Sequence, residues 1–399
     1  MSRFSKKMMP TTALVKYDPE SNSLRKAIDL CEGFESLRSE DKVLIKPNIV
    51  SGFTPDRVPY GITTTPDVLR DLVNLLRDRG CKNITIGEGP TSIKGIDVPA
   101  DWAFEWSGIK DLTKELEVDL VDLNDEGYVK TEMRKENFWI AKRALEADFL
   151  INVPVLKTHS TAVVSLGLKN MKGCLNLFSK KKFHRKGLHG YIAELGTKIK
   201  PELTIIDGIY GLERGPMSRE HHRLDLIIAS RDALSADMVG SAVMGIDPKS
   251  VPHLREFAKL TGRELDLGKI TMKGEKIEEV STKMEWELPW NGMTRKRGIK
   301  GITIQEPLDT VCTGCGLTVW IGMSRFFWEN QGVNFDDVEF CVGLGPKARK
   351  DKNVLLFGAC AMATNRDLKN AFKLKGCPPT IDDTYLFIRE SMAKIKNSS

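Results

Sequence analysis

The sequence predicts an α/β fold of two α/β domains with mostly parallel sheets, the C-terminal one rich in cysteine. Short, nearly continuous apolar runs alternate with helical patterns, which is typical of strands buried on both faces of a parallel sheet. After Gly262 the sequence becomes mainly polar, and the alternation of strand and helix patterns resumes near residue 300. A chain of 399 residues is long enough for two or three domains. We place the first domain at residues 1–262, a connecting excursion at 263–300 and the second domain at 301–399.

The elements of the first domain follow from local spacing. Val43–Lys46 is a short apolar run that predicts a buried strand. Pro66–Arg79 carries apolar residues at helical spacing, and Thr65 and Pro66 are the residue types that cap and start a helix. The other predicted strands are Asn83–Gly87, Val118–Asp122, Asp148–Asn152, Leu203–Asp207 and Leu226–Ser230, and the other predicted helices are Leu188–Lys200, Ala233–Met244 and Val251–Leu260.

The same reasoning gives a second α/β region after residue 300. Apolar runs there are again short and are separated by segments with helical spacing. The predicted order is strand Ile302–Gln305, helix Ile321–Gln331, strands Val338–Val342 and Val354–Phe357, helix Asn365–Lys373 and a final helix at Asp383–Lys396.

Composition excludes several classes of protein. Hydrophobic residues make up 41% and charged residues 29%, which is ordinary for a globular protein and excludes a disordered chain, a collagen-like fibre and a disulfide-stapled mini-protein. No run reaches the ~18 apolar residues of a membrane helix, and the first residues lack the apolar segment of a signal peptide. We therefore expect a cytoplasmic protein without a membrane partner. The net charge of +6 permits an anionic ligand.

The cysteines carry the strongest chemical signal. Three motifs occur in order: CTGC, GACA and KGCPP. Four thiolates hold a cubane iron–sulfur cluster, so the motifs predict a [4Fe-4S] cluster as cofactor. Zinc is the alternative, although zinc sites favour two short cysteine pairs and the second pair here is split by 16 residues; buried cysteines without metal are a third interpretation. The predicted ligands are Cys312, Cys315, Cys360 and Cys377, with Cys341 expected to be a core residue and only alternatively a ligand.

These motifs resemble the proximal [4Fe-4S] module of nickel–iron hydrogenase small subunits, to which a subunit of respiratory complex I is related. The resemblance covers roughly the last 90 residues and rests on the order of the three elements. It implies that the same four cysteines hold the cubane. The gaps between the motifs are shorter than those expected in hydrogenases.

A basic segment in the first domain predicts an anion site. Residues 149–193 contain no Asp or Glu, but eight Lys or Arg and three of the six histidines. Lys157 and His159 follow a predicted strand, and α/β folds bind ligands at the carboxyl ends of their strands. We expect Lys157 to act as charge clamp or proton donor and His159 as general base or metal ligand. A solvated basic loop is the alternative.

Other polar residues are expected to complete that pocket. The glycine-bracketed basic segment 167–173 could approach an anion with its backbone. It is not a Walker A sequence, and no GxGxxG follows a strand, so no nucleotide cofactor is predicted. The candidate anion-binding residues are Lys46, Asn48, Lys169, Asn170, Lys172, His184 and His189.

Six motifs resemble domain-of-unknown-function family 362 across roughly Ala13–Gly262. Members often carry an iron–sulfur module, so the resemblance implies one here, but it implies no reaction. A weaker similarity to the nickel-pincer lactate racemases implies only proton or hydride transfer on an organic acid, with Lys157, His159, His184 and His189 as pocket residues. The six motifs are KPN, TTTPDV, GEGP, NVPVLKTH, GLKNMKG and IDGIYGLERGP.

Together these observations predict a cytoplasmic, anaerobic iron–sulfur oxidoreductase or electron-transfer enzyme that acts on a small anionic substrate. A redox protein such as a ferredoxin and a second copy of the chain are the expected partners. One alternative is a non-redox racemase-like or lyase-like enzyme with a structural cluster. Another is a cluster-containing protein that binds nucleic acid or an acidic partner. Few aromatics interleave with the basic residues, which argues against a stacking platform for nucleic acid.

Overall fold

The structure is a computed structural model, and it describes residues 9–52, 58–91, 100–216, 218–305, 307 and 310–398. These residues form two compact units. The first comprises the described residues up to Thr91 and from Ala100 to Trp286, and the second begins at Glu287. The polar excursion expected at 263–300 therefore lies partly in each unit. No helix in the described ranges is long and apolar enough to cross a membrane.

In the described part of the first unit, ten strands form one mixed sheet in the order β12-β1-β11-β10-β7-β2-β3-β4, with β8 paired to β10 and β9 paired to β8. The run from β10 to β4 is parallel, as predicted, whereas β11 pairs antiparallel with both β10 and β1. A separate antiparallel hairpin joins β5 to β6. The strands are β1 Thr11–Lys16, β2 Val43–Pro47, β3 Ile84–Glu88, β4 Asp119–Asp122, β5 Tyr128–Met133, β6 Glu136–Ala141, β7 Phe149–Val153, β8 Val155–His159, β9 Val163–Val164, β10 Leu203–Leu212, β11 His221–Ser230 and β12 Thr271–Gly274.

Helices cover both faces of this sheet, and each face has its own apolar core. Helix α2 shows why: every apolar residue of its predicted stripe is buried, because spacings of three and four place them on one side. The helices are α1 Ser23–Leu30, α2 Pro66–Asp78, α3 Ala100–Trp106, α4 Ile109–Glu115, α5 Lys142–Glu146, α6 Gly167–Asn170, α7 Leu177–Lys186, α8 Leu188–Lys198, α9 Ala233–Val243, α10 Pro252–Thr261 and α11 Ile277–Val280, with 3-10 turns at Met171–Cys174, Pro248–Ser250 and Leu267–Lys269.

The second unit is a smaller α/β unit whose sheet is parallel throughout its described strands, in the order β13-β14-β15-β16. Phenylalanines from the strands and from α13 pack together in its core. Its elements are α12 Trp290–Arg295, β13 Lys300–Ile304, α13 Thr313–Glu329, β14 Asn334–Val342, β15 Asn353–Phe357, α14 Gly358–Thr364, β16 Phe372–Leu374 and α15 Ile381–Ser398.

The predicted helix Asn365–Lys373 is wrong. Helix α14 ends at Thr364, a turn follows, and β16 then pairs parallel with β15 through Phe357 and Leu374. The apolar residues that suggested a helix instead serve a strand, since pairing with β15 overrides the weak local preference. Several elements were not predicted from the sequence, among them strands β1 and β8 and helix α1.

Candidate functional site

Polar side chains meet where neighbouring parallel strands of the first unit end. Lys46 lies near the end of β2, Glu88 is the last residue of β3, and Asn152 lies near the end of β7. The register pairs Lys46 with Asn152 directly. This is the edge of the sheet at which α/β folds bind ligands. The first candidate site is built on this edge.

Lys46, predicted to bind an anion, is engaged within the protein. Its Nζ lies 2.6 Å from Oε2 of Glu88 and also donates to the carbonyl of Pro47 and to Oδ1 of Asn170. Glu88 in turn accepts the backbone N–H groups of Ile49 and Gly89. Both side chains are buried. Because all three ammonium protons have acceptors, Lys46 contributes charge and rigidity to the site rather than a free donor.

Asn48 and Asn170 also have internal partners. The Asn48 amide donates to the carbonyl of Ile62, 2.8 Å away, and so holds that loop against the strand ends. The Asn170 amide donates to the Pro47 carbonyl and to Oδ1 of Asn152. The structure therefore places both asparagines in the framework beneath the site.

The glycine-bracketed segment 167–173 forms α6 and the 3-10 turn at Met171–Cys174. The carboxylate of Asp237 on α9 accepts the N–H groups of Gly167, at 2.6 Å, and Leu168, at 2.9 Å. These two N–H groups are therefore not available to a ligand. At the other end, a Cβ on Gly173 would lie 2.0 Å from Oε1 of Glu88, so only glycine fits over the ion pair.

Lys157 lies in β8 and is fully buried. Its Nζ donates to the carbonyl of Ile62 at 2.9 Å. The pKa of this amine is lowered to about 7, mainly by burial; the charge of Glu88 opposes this effect and that of Lys46 adds to it. A lysine that is neutral about half of the time near pH 7 can accept a proton as well as donate one.

His159 ends β8 and is also buried. Its Nδ1 accepts the backbone N–H groups of Thr161, at 3.1 Å, and Ala162, at 3.3 Å, which places the ring proton on Nε2. Burial and the nearby Lys169 keep its pKa well below the usual range. Among the described residues Nε2 has no hydrogen-bond partner. His159 therefore presents an N–H donor, whereas the sequence suggested a general base.

Three half-buried side chains lie close to this pair. Lys169 donates from Nζ to Oγ of Ser165 at 3.2 Å, and burial followed by the charges of Lys157 and Lys46 lowers its pKa to about 7. Nζ of Lys172 lies 2.6 Å from Nε2 of His184. Burial and Lys172 hold the pKa of His184 well below its usual range. We call Lys157, His159, Lys169, Lys172 and His184 the Lys/His cluster.

His189, a predicted site residue, stacks on His253. The sequence analysis did not identify His253. Their rings are nearly parallel, with centroids 6.1 Å apart. His253 lies on α10 and is buried; burial, then His189 and Lys169, lower its pKa. Nothing in the local sequence distinguished His253, because its neighbours in the fold come from α6 and α8. Glu88, Asn152 and Asp237 were also missed as site residues, and among these only Glu88 lies in the GEGP motif that the sequence analysis had singled out.

The cysteines form a second candidate site, in the second unit. Cys312 is the N-cap of α13, and Cys315 lies in its first turn. Cys360 lies in the first turn of α14, directly after β15, and Cys377 follows β16. The parallel pairing of β15 with β16 brings the last two cysteines to the same edge.

The other three cysteines of the motifs all act electrostatically on Cys315. A hydrogen bond with Cys312 is the largest cause of its raised pKa, followed by burial and the charges of Cys312, Cys360 and Cys377. Two glycines with positive φ lie close to these cysteines in sequence. Gly358 has a φ of +82°, and a Cβ there would lie 3.5 Å from Sγ of Cys315. Gly376, directly before Cys377, has a φ of +141°.

Cys341 does not belong to this group. It is buried in β14 and packs with Val354, Leu356 and Ala361. Burial, with a smaller effect of Glu339, raises its pKa to about 12. Its surroundings are those of a core residue.

Across the described ranges, no three His, Cys, Asp or Glu side chains are grouped as a single metal ion would require. This applies both to the histidines of the Lys/His cluster and to the four cysteines around Cys315.

Comparison with known proteins gives a family and two similar proteins. The model of a family described as Domain of unknown function (DUF362) matches residues 43–242. The thylakoid-associated protein sll1697 of Synechocystis sp. is 27% identical over 248 residues, which are 60% of this chain and 74% of that protein. The lactate racemase apoprotein from Thermoanaerobacterium thermosaccharolyticum superposes with a TM-score of 0.42 and 12% identity over 97% of this chain and 82% of that one.

Proposed function

The chain belongs to the DUF362 family, and on that premise we propose that it is an iron–sulfur oxidoreductase that acts on a small anionic substrate. Cys312, Cys315, Cys360 and Cys377 would hold a [4Fe-4S] cluster. The Lys/His cluster would bind the substrate, and a ferredoxin-like protein in the cytoplasm would exchange electrons with it.

The observation that carries the proposal is the convergence of four thiols. Residues separated by up to 65 positions in sequence lie close enough to Cys315 for each to raise its pKa. Structural cysteines are inert and scattered, and a reactive pair needs only two sulfurs. Four converging thiols match the ligand number of a cubane. When bound, such a cluster supplies one-electron transfer.

The spacing of the motifs favours a cubane over the zinc alternative, since zinc sites favour two short cysteine pairs and the second pair here is split by 16 residues. In a cubane each cysteine binds a different iron atom, so the sulfurs surround a cube rather than one point. A zinc ion needs its ligands within about 2.3 Å of a single centre. Gly358 adds no side chain beside Sγ of Cys315, from which a Cβ at that position would lie 3.5 Å.

In the first unit the side chains themselves suggest how an anion would be held. Lys157 and Lys169 each have one described acceptor and therefore further N–H groups to donate. His159 offers its Nε2–H. Low local dielectric strengthens each of these bonds. Proton transfer would fall to Lys157, whose pKa of about 7 suits an acid or a base.

Anaerobic purification followed by iron, sulfide and zinc quantification tests the cofactor. We expect about four irons and four sulfides per chain and an EPR signal that appears on reduction with dithionite. Stoichiometric zinc would overturn the iron–sulfur assignment, as would iron that does not respond to reduction. Zinc would leave the Lys/His cluster as the functional lead.

A second candidate function is proton transfer without redox chemistry, as in a racemase-like or lyase-like enzyme. The observation that favours it is the pairing of a partly neutral Lys157 with the Nε2–H donor of His159 in one buried strand. Lys157 would remove a proton beside a carboxylate, and His159 would hydrogen-bond the charge that develops. Exchange of substrate C–H for deuterium in a cluster-free Cys315→Ala protein would support this function, and a strict requirement for a reductant would exclude it.

A further inference from the structure

We propose that the Lys/His cluster binds a small dicarboxylate and takes up protons as the ligand binds. This inference rests on the proposed anion site and adds the class of substrate. It does not depend on the iron–sulfur cluster proposed for the second unit.

The donors come from separate elements. Lys157 and His159 lie on β8, Lys169 lies on α6, and Lys172 lies in the following 3-10 turn. The buried Lys157 and His159 form the inner part of the cluster, while Lys169 and Lys172 are half-buried and form its outer part. Each carboxylate of a dicarboxylate could accept from a different lysine, whereas a monocarboxylate has only one group with which to do so.

The charged residues around Lys157 and Lys169 favour a ligand with two negative groups. Lys46 and Glu88 cancel each other in their ion pair. The charged groups that face Lys157 are Glu88 and Lys46, and those that face Lys169 are Lys157 and Lys46. His159 is faced by Lys169, His184, Lys172 and Lys157, and His253 by His189 and Lys169. The one carboxylate among these neighbours, Glu88, is already paired with Lys46, so Lys157 and Lys169 have no counter-ion of their own when they are protonated.

Backbone donors that would favour a phosphate are occupied. Phosphate sites typically use free N–H groups of a glycine-rich loop at a helix N-terminus. Here the N–H groups of Gly167 and Leu168 at the start of α6 go to the carboxylate of Asp237. The donors that remain in the Lys/His cluster are lysine ammonium groups, which suit the separate carboxylates of a dicarboxylate.

Proton uptake follows from the same geometry. In the free protein, burial and mutual repulsion leave Lys157 and Lys169 partly neutral at pH 7 and mostly neutral at pH 8. A bound dianion favours the ammonium forms, so each lysine takes up a proton. Each linked proton weakens binding about tenfold per pH unit above the pKa of the free amine.

The experiment is calorimetric titration of the full-length protein with malonate, inorganic phosphate and acetate in two buffers of different ionisation enthalpy. We expect malonate to bind about 10–100-fold more tightly than acetate, because it gains an additional charge-assisted hydrogen bond. The buffer dependence should show one to two protons taken up at pH 8, and the dissociation constant should rise at least about tenfold from pH 8 to pH 9.

Lys169→Met should weaken malonate binding at least about tenfold and lower the proton uptake by about one, whereas Lys181→Met, a change of an exposed lysine on α7, should leave both unchanged. Equal affinity for acetate, tighter binding of phosphate, or binding without proton uptake would overturn the dicarboxylate assignment. If no probe binds, or if Lys169→Met binds all three as the wild type does, the proposed anion site itself fails. Iron content is unaffected by either outcome and reports separately on the proposed iron–sulfur cluster.

Discussion

Lys46 and Glu88 join the ends of two adjacent parallel strands by a buried ion pair, with 2.6 Å between Nζ and Oε2. The pair is completed by backbone groups: Glu88 accepts from Ile49 and Gly89, and Lys46 donates to the carbonyl of Pro47. It forms the floor beneath Asn170 and Gly173, and thus positions the segment that carries Lys169 and Lys172.

Glu88→Gln should destabilise the protein by about 3–5 kcal/mol, because Lys46 would remain as a buried charge without its counter-ion. Urea unfolding followed by circular dichroism measures the change. Asp101→Asn, which breaks the exposed ion pair with Lys110, is the matched control and should leave the unfolding midpoint unchanged. Equal effects of both changes would show that the Lys46–Glu88 pair has no special structural role.

Gly173→Ala should cost about 1–3 kcal/mol, since its Cβ would lie 2.0 Å from Oε1 of Glu88 and 2.6 Å from Nζ of Lys46. Gly127→Ala is the control, because nothing lies within 4 Å of a Cβ at that position. Thermal unfolding of the two variants compares them directly. A Gly173→Ala protein as stable as Gly127→Ala would contradict the close packing over the ion pair.

Lys157→Met should make the protein more stable at pH 7, by about 2–4 kcal/mol, because folding the wild type costs the free energy of keeping a buried amine partly deprotonated. Between the folded pKa of about 7 and the ordinary value of 10.5, the unfolded chain holds a proton that the folded chain lacks. Wild-type stability therefore rises with pH across this window.

The advantage of Lys157→Met should consequently shrink from pH 7 toward pH 10. Urea unfolding at several pH values measures it, with Lys181→Met as the exposed control that should not change stability. A loss of stability in Lys157→Met at pH 7 would argue that Lys157 is a structural residue. A gain would fit a residue kept for function at the expense of stability.

Asp237→Asn tests the carboxylate that accepts the N–H groups at the start of α6. Burial raises the pKa of Asp237 to about 7, although the N–H groups of Leu168 and Gly167 lower it. From about pH 4 to pH 7 the folded carboxyl group holds a proton that the unfolded one has lost, so wild-type stability falls by up to about 1.4 kcal/mol per pH unit relative to the variant. Unfolding curves that differ by a constant amount over this range would contradict the raised pKa.

Cys315→Ala should abolish incorporation of iron, because Cys315 is the sulfur on which the other three cysteines converge. Cys341→Ala is the matched control, since Cys341 is a buried core residue and should keep its full iron content while losing some stability. Iron and sulfide assays on anaerobically purified variants measure the difference. Equal loss of iron in both variants would show that Cys341 takes part in metal binding.

The sequence by itself determined the α/β class, most strands of both sheets and the helical stripe of α2. These depend on spacings within a few residues, which the physics of a single helix or strand fixes locally. The four-cysteine motifs and the basic segment were also visible, because composition and short-range spacing carry them.

Only the tertiary structure decided what each polar residue does. Lys46 was expected to meet a ligand, but pairs with Glu88 42 positions away, and His253 enters the site from α10. The segment after Thr364 was expected to be helical, but β15 draws Phe372–Leu374 into a strand. Burial and hydrogen-bond partners come from residues distant in sequence. For that reason the pKa of Lys157 and the tautomer of His159 depend on contacts that no local pattern contains.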